Sequence, residues 1–404
     1  ARWVSNHDCL VHVTKRARMA DSTADVQPHL VLHFDVNETI MVGDPAGGDS
    51  YQDSLNKVLA KSAFCRVDGP LGAYGSAAAT PTVWHDGIPM ADLPVPPPPL
   101  RPEWTFDTPP GVGCFYKQSE LKRAHAKCFA DPGSPGVIYE RERDRLQAAM
   151  AWQHAPHPAL SEGSTSALIP AFYRTLDTLR RSHRPFSVVL RTFGTDLPRV
   201  RAAINAFAAG EHPDYPEGAP ELALPAERMW RGVYDDTGRF SLRPHDEGSG
   251  APTITDEVLA VAALSVPGVS AIQDNYEWWS SHGYQPSSGK PLWLTLGETS
   301  TFQLFFDDNI HNDPDDSIVS VRARADDSTS SFAVLSGAQI CELHGLVLRR
   351  VPTMLPILDT EWFLEEIRAC EARLAEVRQT SRWAELSERL SSAERQSKRQ
   401  KAQD

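Results

Sequence analysis

Short apolar runs rich in β-branched and aromatic residues recur along the chain, each closed by polar residues. His29-Leu30-Val31-Leu32-His33-Phe34 is the first, Phe186-Ser187-Val188-Val189-Leu190 the second, and Phe302 to Phe306 the third. Ile318 to Val321 and Leu346 to Leu348 are shorter candidates of the same kind. Unbroken apolar runs of this length suit strands buried on both faces of a parallel sheet. Before the second run the period changes, and Leu168, Ile169, Phe172, Leu176 and Leu179 fall at helical spacing. Strands alternating with helices predict an α/β fold, a parallel sheet flanked by helices.

Other stretches break this rhythm. Residues 66–135 hold Pro94-Val95-Pro96-Pro97-Pro98-Pro99 and few apolar periods, which predicts an irregular insertion with a polyproline segment. Residues 210–252 are also rich in Pro and Gly, around an expected hairpin from Met229 to Leu242 that turns at Asp236-Thr237-Gly238. From Asp359 onward the chain favours helix, with Trp362, Phe363, Ile367, Leu374 and Val377 on one face and a charged, fraying end. If Trp362 and Phe363 lay exposed, that helix would read as a partner surface.

Composition narrows the function classes. The 404 residues carry 40 Lys and Arg against 53 Asp and Glu, a formal net charge of -13, which disfavours nonspecific nucleic-acid binding. No run of about 18 or more apolar residues occurs, so no membrane span is expected. Cys9, Cys65, Cys114, Cys128, Cys341 and Cys370 are scattered without a CxxC pair, which predicts neither a zinc site nor a disulfide framework. A reducing, cytoplasmic compartment follows as the expectation. Residues 1–18 contain Arg2, Lys15, Arg16 and Arg18 with Asp8 as their one acid, and organelle targeting by this stretch stays open.

Chemistry gathers where the apolar runs end. Asp35 and Asn37 follow the first run, at the position where open α/β sheets bind ligands, although both are also ordinary turn residues. The third run ends in Asp307-Asp308, followed by Asn309, His311 and Asp313. Adjacent carboxylates repel unless solvated or neutralised, and a hard ion such as Mg2+ would suit them together with Asp35. A solvated acidic loop through Asp313, Asp315 and Asp316 is the alternative. Thr192 follows the second run; an N-cap for the helix beginning near Leu197 falls more naturally to Thr195 or Asp196. Lys290 is the only Lys or Arg between Arg243 and Arg322, and its isolation among acids suggests a role in neutralising carboxylates and a phosphate together.

Asp35-x-Asn37-x-Thr39, then Thr192, then Lys290, then Asp307-Asp308 with Asp313 stand in the order of the four motifs of the haloacid dehalogenase-like (HAD) hydrolase superfamily, which the chain resembles over roughly 28–60, 165–205 and 255–350. The resemblance implies a Rossmann-like parallel sheet in a core of residues 28–65, 161–209 and 253–358. Residues 1–27 would be an N-terminal extension, 66–160 a cap-like insertion, 210–252 a smaller second insertion, and 359–404 a charged helix and tail. It further implies a Mg2+-dependent phosphatase of a small-molecule phosphate monoester. In that scheme Asp35 is the nucleophile and forms an aspartyl-phosphate. Asn37, Thr192 and Lys290 contact the phosphate, with Thr192 and Lys290 also stabilising the transition state. Asp35, the Asn37 carbonyl, Asp307 and Asp308 hold the metal, supported by Asp313.

The chain departs from the family at Asn37, where HAD phosphatases usually carry a second aspartate that protonates the leaving oxygen and activates water. Such general acid–base help is worth about 10²–10⁴-fold. Glu38 and His311 are the nearby candidates to replace it, and a weakly active or inactive metal- or phosphate-binding protein with a regulatory role is the alternative function. The stretch from Asp35 to Thr192 far exceeds one βαβ crossover of about 30 residues, as a family cap would require. Trp84, His85, Trp104 and Tyr116 would line that cap or form its own small core.

Overall fold

The computed structural model describes residues 27–389 apart from 44–47, 67–80, 106–107, 117–118, 298–299, 312, 328–330, 382 and 386. The basic stretch 1–18, Cys9 and the last residues of the charged tail lie outside the described residues. Among those described, no helix is long and apolar enough to cross a membrane.

Among the described residues, ten strands build the two larger sheets: β1 (His29–Asp35), β2 (Phe186–Thr192), β3 (Met229–Tyr234), β4 (Phe240–Pro244), β5 (Gly268–Gln273), β6 (Lys290–Thr295), β7 (Thr301–Asp307), β8 (Val319–Arg324), β9 (Ala333–Val334) and β10 (Leu348–Arg350). Seven of them make a central sheet in the order β10-β7-β1-β2-β5-β3-β4. Every neighbouring pair is parallel except the β3–β4 hairpin. The fold is therefore mixed α/β with a large, mostly parallel sheet flanked by helices. β1 lies in its interior, paired on both sides, with Leu30, Val31, Leu32 and Phe34 wholly buried, as its unbroken apolar run demands. Leu30, Leu32 and Phe34 face one apolar layer, and Val31 with Val189 and Ile272 faces the other.

Four longer helices are α1 (Tyr51–Ser62), α2 (Pro170–Arg181), α3 (Leu197–Ala208) and α4 (Trp362–Arg378). α1 opens with a reciprocal cap, in which the Asp53 amide donates to Ser50 Oγ and the Ser50 amide to the Asp53 carboxylate. It buries Leu55, Val58 and Leu59, each worth about 1.5–3 kcal/mol. α4 packs on its own core: the Phe363 ring meets Phe34 edge-on at 5.2 Å and Phe306 at 5.3 Å. Trp362 and Phe363 are buried, so this face offers no exposed partner patch.

Two segments differ from their expected places. The 210–252 stretch forms the expected hairpin, but β3 pairs in parallel with β5 and so extends the central sheet. The run at 318–321 belongs to a second, three-stranded sheet in the order β6-β8-β9, where β6 and β8 are parallel. Within 66–160, Trp84, Phe115, Phe129 and Tyr139 pack ring against ring and join the main apolar layer.

Chain direction sets one end of the sheet apart. From β1 the chain moves to β2 and β5 on one side, then returns to β7 on the other side of β1. The strand order reverses between β1 and β7, and the crevice outside the carboxyl ends at such a reversal is where open α/β sheets bind ligands.

Candidate active site

Asp35 is the last residue of β1 and Asp307 the last of β7, so the two carboxylates stand on either side of the reversal. Parallel register fixes this placement, with Phe34 opposite Phe306 on one side and Leu190 on the other. Lys290, the first residue of β6, reaches between them: Nζ donates to Asp35 Oδ1 at 2.5 Å and to Asp307 Oδ2 at 2.8 Å. The ammonium is 1 % exposed on its side chain. Burial alone would depress its pKa, but the carboxylates of Asp307, Asp35 and Asp274 more than offset this and hold it above the ordinary lysine value.

Asp308 belongs to a second charge cluster beside the first. Lys61, from α1, donates to Asp308 Oδ2 at 2.8 Å and also pairs with Glu38. The Asp308 amide donates to Thr39 Oγ1 at 3.1 Å, which locks the loop after β7 onto the loop after β1. Glu38 has φ +57°, an unusual conformation for a side chain of its size, and its carbonyl accepts the Thr353 hydroxyl at 2.5 Å. Burial pushes the Asp35 carboxyl well above the usual range, with Asp307 and Asp308 adding to this and Lys290 opposing. Asp308 is pushed up to about 7, first by burial and then by Glu38 and Asp307, against Lys61. Glu38 is held low, because Lys61 outweighs its burial.

Carboxylate oxygens of Asp35, Asp307 and Asp308 all lie within 4.8 Å of one another. An all-oxygen, anionic donor set of this size, buried and short of positive charge, suits a hard divalent cation.

Thr192 ends β2 and is also buried. Its Oγ1 accepts the Gly194 amide at 2.8 Å, which leaves the hydroxyl hydrogen for an acceptor in the cavity. Asn37 donates through Nδ2 to Asp196 Oδ2 at 3.0 Å, while its Oδ1 is buried without a partner. Asp196 occupies the N-cap position of α3 yet makes no capping bond, because its carboxylate turns to Asn37 instead. Gly194 makes room for this: a Cβ there would lie 2.6 Å from Asp196 Oδ2.

Asp35, Asn37, Thr192, Lys290 and Asp308 line one cavity of about 740 Å³, with Asp307 immediately behind them. Asp313 is not brought in. It is exposed, and its carboxylate accepts the Asp315 amide at 2.9 Å in a turn of its own. His311 lines the rim, where it faces Asp316 at 3.5 Å, and Glu38 is committed to Lys61. Of the four aromatic-site residues expected in 66–160, Tyr116 lines the cavity, Trp84 is core, and His85 packs edge-on against Trp104 at 5.1 Å.

Several contributors were not anticipated. Lys61 sits on α1, a helix whose start was readable in Ser50-x-x-Asp53 and whose apolar face was readable in Leu55, Val58 and Leu59. Arg191 is wholly buried and holds Asp274 through two bonds of 2.9 and 2.6 Å, while Nη1 donates to the Pro291 carbonyl at 2.8 Å. It thereby ties β2 to β5 and to the residue next to Lys290. No sequence signal marked Arg191 apart from its place beside Thr192. No family model, curated protein or solved structure matches the chain.

Proposed function

We propose that the protein is a HAD-type hydrolase of small-molecule phosphate monoesters that works through an aspartyl-phosphate at Asp35. The observation that carries this is the convergence of Asp35, Lys290 and Asp307 at the strand-order reversal, with Lys290 Nζ at 2.5 and 2.8 Å from the two carboxylates. A carboxylate held at the end of a central strand, next to one fixed ammonium and two further acids, is equipped to attack phosphorus.

In this scheme an Asp35 oxygen attacks the phosphorus and the ester oxygen departs. Lys290 and the Thr192 hydroxyl hold the phosphoryl oxygens and stabilise the charge that grows on them. Water then cleaves the aspartyl-phosphate, releasing phosphate and restoring Asp35. Mg2+, held by Asp35, Asp307, Asp308 and the Asn37 carbonyl, would supply positive charge to a phosphoryl oxygen. Arg191 and Lys61 act earlier, by fixing the elements from which Lys290 and Asp308 project.

The amide at Asn37 moves no proton, which favours phosphates with good leaving groups. It also supports a second function, binding of a metal or phosphate without efficient turnover. Hydrolysis of an aryl phosphate with and without Mg2+, beside Asp35→Asn, separates the two. Activity lost in the variant and with chelator is expected; a parent no faster than background would leave the binding function standing.

A further inference from the structure

The cavity over Asp35 has two walls of unlike chemistry, and phosphoryl transfer uses neither. Its volume of about 740 Å³ falls within the range of about 300–1,000 Å³ typical of small-ligand pockets, far more than a phosphate group fills.

One wall is aromatic. Phe193, directly after β2, lies parallel to Trp279 with ring centroids 5.1 Å apart and an interplanar angle of 15°. Tyr284 meets Trp279 edge-on at 4.9 Å. Tyr276 and Tyr284 are 48 % and 42 % exposed, an unusual state for rings of this size. The wall is also rigid: Trp279 Nε1 donates to the Ser317 carbonyl at 3.0 Å, and Tyr284 is held at φ +62°. Two backbone bonds fix that strained conformation, from the Tyr284 amide to the Trp279 carbonyl at 3.0 Å and from the Ser317 amide to the Tyr284 carbonyl at 3.3 Å.

The other wall is cationic. Lys57 and Lys61 come from α1, and Lys122 from the helix Ser119–His125. Lys61 is committed to Glu38 and Asp308, and Lys57 to Asp49. Lys122 is exposed, stands 4.2 Å from the centroid of the Tyr116 ring, and has no carboxylate partner among the described residues. Among the described residues this wall therefore presents one ammonium without a carboxylate, beside two that already have theirs, and that ammonium is open to a ligand anion.

We infer that the site takes a phosphomonoester of a planar aromatic or heteroaromatic group bearing a second anionic group. The ring lies against Phe193, Trp279 and Tyr284, and the second anion lies at Lys122. Flat rings gain by stacking on such a face, and a lone ammonium beside an open cavity is a point-charge site for carboxylate or phosphate. This assignment rests on the phosphoryl-transfer function proposed above.

The test is calorimetric binding of four non-hydrolysable phosphonates to the full chain with Mg2+: benzylphosphonate, 4-carboxybenzylphosphonate, propylphosphonate and 3-carboxypropylphosphonate. The ring and the carboxylate are each expected to tighten binding by about tenfold. Lys122→Ala is expected to remove the carboxylate advantage alone. Tyr284→Ala should reduce the ring advantage alone, with Tyr284→Phe retaining it. Four phosphonates bound alike, or Lys122→Ala weakening all four equally, overturns the inference. A parent that turns over aryl phosphates yet binds the four alike sinks this inference and leaves the hydrolase function. Ranked binding without turnover does the reverse, and no binding at all removes both.

Discussion

Asn37→Asp tests the contact that most distinguishes this site. The wild-type amide donates to Asp196 Oδ2 at 3.0 Å, and Asp196 is 8 % exposed. The substitution replaces a donor by a second carboxylate at that distance. A hydrogen bond to a charged group contributes about 1.5–3 kcal/mol, and that contribution disappears. Two unit charges about 3 Å apart at an effective dielectric constant of about 20 would repel by about 5 kcal/mol, which sets an upper bound because the pair will instead retain a proton. The expected net loss at neutral pH is about 2–5 kcal/mol, read as a lower midpoint in urea unfolding. Asp196→Asn added to Asn37→Asp exchanges the two groups and restores the donor–acceptor pair, so the double variant should recover most of the loss. The single variant should also hydrolyse alkyl phosphates faster relative to aryl phosphates, because residue 37 regains an acid. An Asn37→Asp protein as stable as the parent, or a double variant no better than the single, would falsify the pairing of Asn37 with Asp196 and its consequence for turnover.

Two further outcomes follow from buried charge. His33 is buried beside Arg191, and burial first, then that guanidinium, lower its pKa to about 3. Its folded value lies below the unfolded one, so it has no effect above about pH 6.5, and stability falls as acid protonates only the unfolded chain. Each pH unit between about 6.5 and 3 should remove about 1.4 kcal/mol, and His33→Gln should flatten that slope by one proton; an unchanged slope in urea titrations would count against it. Lys61→Met strands Glu38 and Asp308 without their shared cation and should cost about 3–5 kcal/mol, whereas a loss of less than about 1 kcal/mol would mean the cluster behaves as a surface pair.

What the sequence disclosed follows from how local each signal is. β1, β2 and β7 are continuous apolar runs, and Asp35, Thr192 and Asp307 fall at one end of the sheet because parallel register leaves them nowhere else. α4 was equally plain, since Trp362, Phe363, Ile367 and Leu374 hold one helical face. β5 was hidden because Gly268, Ser270 and Ala271 make a weak apolar run directly after Pro267, and only its two neighbours in the sheet make it a strand. The second sheet was hidden for the same reason: the pairing of β6 with β8 is a long-range choice that periodicity does not encode. Asp196 looked like an ordinary helix cap, and only the approach of the β1 loop shows that its carboxylate is engaged elsewhere. Lys61 lies 247 residues from Asp308, so their pairing belongs to the tertiary structure alone.

The most direct measurement is the mass of the peptide containing Asp35 after rapid acid quench of the protein mixed with an aryl phosphate and Mg2+. The proposed chemistry predicts a phosphoryl adduct on Asp35 that hydroxylamine removes and that is absent from Asp35→Asn. Aryl phosphate hydrolysed by the parent with no adduct on Asp35, and undiminished in Asp35→Asn, would contradict it.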